Sequence, residues 1–194
     1  MELAGTKLGF ALTGSFCTFE RVIPQIERLF LAGVEVIPIV SERVAMTDTR
    51  FGTAEFWLTK LQQITGKKPL TGITEVEPLG PKCLLDILVV APCTGNTIAK
   101  VANGISDQTV PLAVKAHLRN ERPVVLAVSS NDGLAGNAVN IGALLNLKNI
   151  FLVPFGQDDP LNKHNSLVAK MELIPETVQQ ALAGKQIQPL LISY

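Results

Sequence analysis

Asp86-Ile87-Leu88-Val89-Val90-Ala91-Pro92-Cys93-Thr94-Gly95-Asn96-Thr97 is the stretch on which the fold turns. Asp86 to Ala91 (DILVVA) is apolar and of strand length, and a loop of small hydroxylated, amide and glycine residues follows it. A helical pattern, Thr97 to Ala102, then resumes at once. Continuous apolar runs mark strands buried on both faces, as in a parallel sheet covered by helices. The same order appears at Lys7 to Gly14 (KLGFALTG), which closes on Gly14-Ser15. Beyond it Ile23, Ile26 and Phe30 fall at helical spacing, and Gly33 is the stop. Pro24 is tolerable only in a first turn. That helix is therefore expected to start near Glu20 to Ile23, leaving Ser15 to Phe19 as a long connecting loop.

Outward from these two strands the alternation continues. Glu35 to Val40 (EVIPIV) reads as a second strand, with Pro38 placing it at an edge or irregular position. A helix is expected over Ala54 to Ile64, ended by Gly66, and Lys67 to Pro81 is the least structured stretch. Helix Pro111 to Leu118, strand Pro123 to Val128, helix Val139 to Leu147, strand Ile150 to Val153 and helix Pro175 to Leu182 complete the series. Such βαβ alternation predicts an α/β fold: one domain over residues 1–194, a doubly wound parallel sheet in a three-layer, Rossmann-like αβα arrangement.

Composition agrees and narrows the function. Hydrophobic residues make up 47% of the 194, charged residues 18% and aromatics 5%, which suits an aliphatic α/β core. Seventeen basic and seventeen acidic residues cancel and no basic run occurs, so neither a nucleic acid nor an anionic membrane surface is expected as partner. No apolar run approaches the roughly 20 residues that span a bilayer, and Met1 to Thr6 does not read as a signal peptide. Cys17, Cys83 and Cys93 are odd in number and form no CxxC pair. They read as reduced thiols of a cytoplasmic protein, with no metal site.

In a doubly wound sheet ligands sit outside the carboxyl ends of the strands, where strand order switches direction. The loops to inspect are therefore Thr13 to Phe19, Ser41 to Asp48, Pro92 to Thr97 and Ser129 to Asn137. They can bring backbone N–H groups and hydroxyls to a phosphate without a lysine. The first loop, TGSFCTF, has neither the GxGxxG of a dinucleotide site nor a Walker sequence. Gly14-Ser15 is left as a turn that also admits a mononucleotide. In the third loop Thr94, Asn96 or Thr97 can cap the helix that follows, or meet a phosphate or flavin. Both readings stand on the residues alone.

APCTGNTIAKVANGISD (91–107) resembles the PANT-type signature of the homo-oligomeric flavin-containing cysteine decarboxylases, and is similar to the corresponding loop of the UbiX-like flavin prenyltransferases. TGS and Val40-Ser41 match the first and second FMN segments of that superfamily. Residues 77–107, 115–150 and 151–178 together resemble, nearly end to end, the family of B-type subunits of bacterial dipicolinate synthases. The resemblance implies FMN as cofactor, with Gly14, Ser15, Phe16, Ser41, Thr94, Gly95, Asn96, Thr97, Ser129 and Ser130 as its contacts. It implies a cytoplasmic role in the mother cell during spore formation. The reaction implied is oxidation of a dihydrodipicolinate-type intermediate to pyridine-2,6-dicarboxylate, with an A-type subunit that carries NAD(P). A homo-oligomer, trimer or dodecamer, is implied as well.

The chain departs from its relatives in ways that bear on chemistry. Ser129-Ser130 stands where some relatives have an arginine or a Pro-Ala-Met-Asn motif. Glu77 to Gly80 lacks the histidine that the decarboxylases use. Decarboxylase and prenyltransferase chemistry are disfavoured accordingly, and no catalytic residue is assigned. A non-catalytic scaffold with a vestigial flavin site is the alternative. His117 reads as a surface or interface residue, and His164 as part of the loop. The loop Gly156 to Ser166 reads either as a capped turn or as a lid or docking surface. Lys163 and Arg50 are the candidate clamps for a substrate carboxylate, Arg50 through its bidentate fork. Cys93 reads as a small apolar filler, with a helix-lowered thiol as the alternative. Trp57 reads as a core or interface residue.

Overall fold

A computed structural model describes residues 3–194. Strand β1 (Lys7–Leu12) leads through a 3₁₀ turn, Phe16–Thr18, into helix α1 (Phe19–Leu31), then β2 (Glu35–Val40), α2 (Glu42–Met46) and α3 (Ala54–Thr65). Next come α4 (Ile73–Val76), a 3₁₀ turn at Glu77–Leu79, β3 (Ile87–Thr94), α5 (Gly95–Ala102), α6 (Thr109–Leu118), β4 (Val124–Ser130) and α7 (Ala138–Leu145). The chain continues with β5 (Ile150–Leu152), β6 (Phe155–Gly156), β7 (Leu167–Ala169), a 3₁₀ turn at Met171–Leu173 and α8 (Ile174–Leu182).

The sheet runs β2-β1-β3-β4-β7-β6, with β5 also on β4. Strands β1 to β5 are parallel. Every residue of β4, and every residue of β3 up to Cys93, is buried, as their unbroken apolar runs require. The α/β class holds, with one addition to the all-parallel expectation. β7 lies antiparallel to β4, and β6 antiparallel to β7. The far edge of β4 is thus shared: β5 pairs with Val124 to Leu126, and β7 with Ser129 and Ser130. Strands of two or three residues are too short to carry a readable period.

β2 is an edge strand, as Pro38 foretold. The Leu70 N–H donates to the Pro38 carbonyl at 2.9 Å, and the Val40 N–H donates to the Leu70 carbonyl at 2.9 Å. The side of Pro38 that lacks an N–H therefore faces the outer edge, where no ladder partner is lost.

Helix α1 starts earlier than expected, because residues 16–18 already coil and feed straight into it. Pro24 consequently lies in the second turn. The carbonyl that loses its partner belongs to Glu20, an exposed residue whose backbone water can reach. Val22, Ile26 and Leu29 are fully buried against the sheet, each such side chain contributing about 1.5–3 kcal/mol relative to exposure. Gly33 ends α1 at φ +81°, and Gly66 ends α3 at φ +68°.

His117 corrects the surface reading: it is 1% exposed, turned inward on α6. Burial drives its pKa down from 6.5 to about 4, aided by the nearby Arg122 charge and opposed by a hydrogen bond with the Pro123 backbone. Its Nε2 has no partner. An unfolded chain takes up the proton near pH 6.5, whereas the folded chain resists it until about pH 4. Stability is therefore intact above pH 6.5 and falls across that window, by on the order of 3 kcal/mol. The variant His117→Leu is expected to show a shallower loss of melting temperature between neutral and acid pH than the wild type. An identical slope in thermal unfolding would refute the assignment.

Candidate functional site

Strand order reverses at β1, which has β2 on one side and β3 on the other. The loops leaving the carboxyl ends of β1 and β3 diverge there and leave a crevice, the position at which open α/β sheets bind ligands. Two cavities of about 540 and 520 Å³ open in it and share Gly14, Thr94 and Asn96 as a common wall.

Thr13, buried just beyond β1, ties the two strand ends together. Its hydroxyl donates to the Pro92 carbonyl at 2.6 Å and accepts from the Thr94 N–H at 3.0 Å. An irregularity in the β3–β4 pairing between Val90 and Cys93 lets β3 run on, so that Thr94 stands level with Ser129. Ser129 Oγ in turn meets Ser15 Oγ at 2.7 Å, and Thr94 Oγ1 meets Thr97 Oγ1 at 3.1 Å. A line of hydroxyls thus crosses three strand ends.

The helices that begin here are left open. No side chain caps α5 or the 3₁₀ turn that leads into α1, and the residues at both starts, Ser15 and Cys17 on one side and Gly95 and Asn96 on the other, border the larger cavity. The simple capping role for Thr94, Asn96 or Thr97 is therefore not what these side chains do. Side chains cap α2 through Ser41 and α3 through Thr53, and at α6 the Glu42 carboxylate accepts from the Thr109 N–H at 2.7 Å, whereas α7 and α8 also start without a side-chain cap.

Gly95 is required by what lies under it. A Cβ there would stand 2.6 Å from Asn137 Nδ2, 2.6 Å from Ser130 Oγ and 2.9 Å from Asp132 Oδ1. Those three groups form a network: Ser130 donates to Asp132, and Asn137 donates to both Asp132 oxygens at 3.0 and 2.8 Å. Asn140 donates to Asn137 and Asn103 to Asn140, carrying the chain to the far end of α5. Hydrogen bonds from Ser130 and then Asn137 hold the Asp132 carboxyl below the usual carboxylate range.

At the rim Arg21 forms a bidentate pair with Glu172, at 3.1 Å for both bonds, and Lys163 pairs with Asp158 at 3.1 Å. Burial pushes the Asp158 carboxyl up, but hydrogen bonds from Ser166 and Lys163 outweigh it and leave it lowered. The 156–166 loop is closed by its own bonds. Asn162 donates to Asp159, and Gln157 donates to the His164 carbonyl, while the exposed His164 ring lies 2.9 Å from the Pro160 carbonyl.

Of the residues singled out from sequence, Gly14, Ser15, Thr94, Gly95, Asn96, Ser129, Ser130 and Lys163 border the larger cavity. Ser41 and Thr97 join Gly14, Thr94 and Asn96 around the smaller one. Phe16 and Arg50 border neither. The Phe16 ring packs on Phe19 at 5.2 Å, and the Arg50 guanidinium covers its neighbour Phe51 at 4.8 Å. Cys93 is a core filler whose thiol pKa burial pushes up, which removes the reading as a lowered thiol. Trp57 is in the core, edge-on to Phe19 at 4.9 Å. Thr13, Arg21, Arg43, Lys100, Asp132 and Asn137 were not singled out. All but Arg21 and Lys100 lie in the four loops flagged by topology, which was the available signal. Among the described residues no cluster of His, Cys, Asp and Glu could hold a metal, and no helix is long and apolar enough to cross a membrane.

Comparison with known proteins gives concordant matches. Residues 1–184 match the family model described as Flavoprotein. The chain is 50% identical over 191 residues to the B-type subunit of dipicolinate synthase from Bacillus subtilis (strain 168), covering 98% of this chain and 96% of that one. It superposes on the crystal structure of the corresponding dipicolinate synthase chain from Bacillus halodurans with a TM-score of 0.91 at 49% identity, covering 100% of this chain and 99% of that one. DmrB of Burkholderia xenovorans, solved in complex with FMN, shares the fold at a TM-score of 0.68 and 17% identity, with 92% and 96% covered.

Gly95→Ala tests the packing under α5. The added methyl is expected to drive Asn137 and Ser130 apart and lower stability by about 1–3 kcal/mol, read by denaturant unfolding. Thr13→Val, which removes both bonds between the strand ends, should cost a similar amount. A neutral result for both would show that the network does not hold the crevice together.

Proposed function

The chain belongs to the flavoprotein family, and from that premise we propose that it is the FMN-holding member of a two-subunit dipicolinate synthase. The observation that carries this reading is the meeting, at the topological switch, of two uncapped helix starts with the hydroxyl line Ser15–Ser129 and Thr94–Thr97. That donor set fits a flavin mononucleotide. Its phosphate needs N–H and O–H donors, while Gly14 and Gly95 make room for the Arg43 stem and for the Asn137–Ser130–Asp132 network that pack on these loops. The size of the crevice and the identity of close relatives support the same reading.

Gly14, Ser15, Ser41, Thr94, Gly95, Asn96, Thr97, Ser129 and Ser130 would hold the group. Bound there, a flavin supplies two-electron redox chemistry. The chain's own part is to bind and orient. Ser15 and Ser129 fix each other's hydroxyls, Asp132 keeps Ser130 and Asn137 aligned, and Lys163 would have to leave Asp158 to meet a substrate carboxylate at the rim. The reaction in this reading is the aromatising oxidation of a dihydrodipicolinate-type intermediate to pyridine-2,6-dicarboxylate, in the cytoplasm of a sporulating mother cell. An A-type subunit carrying NAD(P) is the partner. A homo-oligomer, trimer or dodecamer, would cover apolar side chains that lie open in the single chain, such as Leu31, Met46 and Val139.

One observation favours a second reading, a scaffold with a vestigial flavin site. Neither histidine borders either cavity. The same observation opposes an independent decarboxylase or prenyltransferase.

Purified protein titrated with FMN decides between the first two. Saturable binding is expected, and Ser15→Ala and Thr94→Val should each weaken it about tenfold, or about 1.4 kcal/mol. Failure of the wild type to bind FMN, with or without its partner, would favour the scaffold. Aromatisation assayed with each component alone and with both together should appear only in the mixture.

A further inference from the structure

Four cations border the two cavities: Arg21 and Lys163 the larger, Arg43 and Lys100 the smaller. Three are already matched by an acid. Arg21 pairs with Glu172, Lys163 with Asp158, and Lys100 with Asp107 at 2.7 Å. Lys100 also donates to Gln108 at 2.9 Å. Arg43 is the exception, with no carboxylate in ion-pair range among the described residues.

The neighbouring acid does not compensate it. Glu42 is turned toward α6, where Oε1 accepts from both the N–H and the hydroxyl of Thr109 at 2.7 Å, and its other oxygen is buried without a partner. The stem of Arg43, an exposed residue, runs along Gly14. It passes over Gly14 so closely that a Cβ at that glycine would lie 2.7 Å from Arg43 Cδ and 3.3 Å from Cγ. Gly14 is part of the wall shared by both cavities, so the stem that lies over it places Arg43 at the border of the smaller one. A planar fork with spare donors, held beside the hydroxyls of Ser41 and Thr97, suits a planar or tetrahedral oxyanion.

We propose that Arg43 is the oxyanion anchor of the smaller cavity, taking two oxygens of the ligand's phosphate or carboxylate group. The assignment rests on the reading of the crevice as a ligand site for a mononucleotide and a dicarboxylate. It replaces Arg50, whose guanidinium lies on Phe51 away from both cavities. Phosphate on the mononucleotide and carboxylate on the substrate are the two sources of that chemistry.

Three versions of the full chain separate them: wild type, Arg43→Met, which keeps an apolar stem over Gly14, and Arg43→Lys, which keeps the charge. Each is titrated with FMN, with riboflavin and with pyridine-2,6-dicarboxylate. Arg43→Met is expected to lose roughly tenfold to a hundredfold in affinity for FMN or for the dicarboxylate. Riboflavin, which has no phosphate, should bind as it does to the wild type, and Arg43→Lys should recover part of the loss. Weaker FMN with unchanged riboflavin identifies the phosphate as the bound group; a weaker dicarboxylate identifies the carboxylate. Wild-type affinity of Arg43→Met for both anions overturns the proposal. So does a loss of riboflavin equal to that of FMN with the dicarboxylate unaffected, which would mark a packing role. If the wild type binds no flavin, the mononucleotide reading fails while the dicarboxylate titration still decides Arg43. Binding of neither anion by the wild type overturns both.

Discussion

A single buried hydroxyl, that of Thr13, holds the carboxyl ends of β1 and β3 at one fixed separation. It donates to the Pro92 carbonyl and accepts from the Thr94 N–H at the end of β3, in a place where Thr13 is only 1% exposed. Hydrogen bonds sheltered from water are costly to break, because the groups left behind are already desolvated. The position of Thr94 follows from that clamp, and the start of α5 follows from Thr94. The hydroxyl pairs Ser15–Ser129 and Thr94–Thr97 are set at the same level by the parallel register beneath them. The crevice is thus a consequence of the sheet.

Its electrostatic character is equally constrained. The uncapped start of α5 favours negative charge beside it, and Asp132 already places one carboxylate close to that start. That carboxylate is kept ionised by neutral donors, Ser130 and Asn137, instead of by a cation. The rim cations are mostly quenched by their own acids. What is left is a site of directed dipoles and hydroxyls, with one unpaired guanidinium at its border. Such a site recognises an oxyanion by geometry more than by net charge.

Much of this could be read from the chain. DILVVA and KLGFALTG announce strands buried on both faces, and Gly33 and Gly66 stop the helices they were expected to stop. Switch-point logic then selected the four loops from which nearly all the crevice is built. The rest was hidden for physical reasons. β6 and β7 are too short for a period, and α1 began early because a 3₁₀ turn, which has no strong sequence mark, absorbed the expected loop. His117 sits among Lys115 and Arg119 in the sequence, but its direction around α6 turns it inward. Arg43 and Arg50 have the same chemistry and neighbouring positions. Only the three-dimensional course of the Arg43 side chain along Gly14 shows which of them borders the crevice.

The same geometry bears on how labour is divided in the proposed synthase. Removing a hydride from a dihydropyridine must be accompanied by loss of a proton, so some group has to accept one near neutral pH. Asp132 and Asp158, the carboxylates on the larger cavity, are both held below the usual range, which makes them poor proton acceptors. His117 is buried away from the crevice, and His164 is on the outer loop. The chain's crevice therefore suits holding and aligning, with proton exchange assigned to solvent, to a second copy of the chain or to the A-type partner. On that view the flavin-holding and scaffold readings differ in one respect only, whether the cradle is filled, and the fold has been kept rigid enough at Thr13 and Gly95 to serve as a cradle in either case.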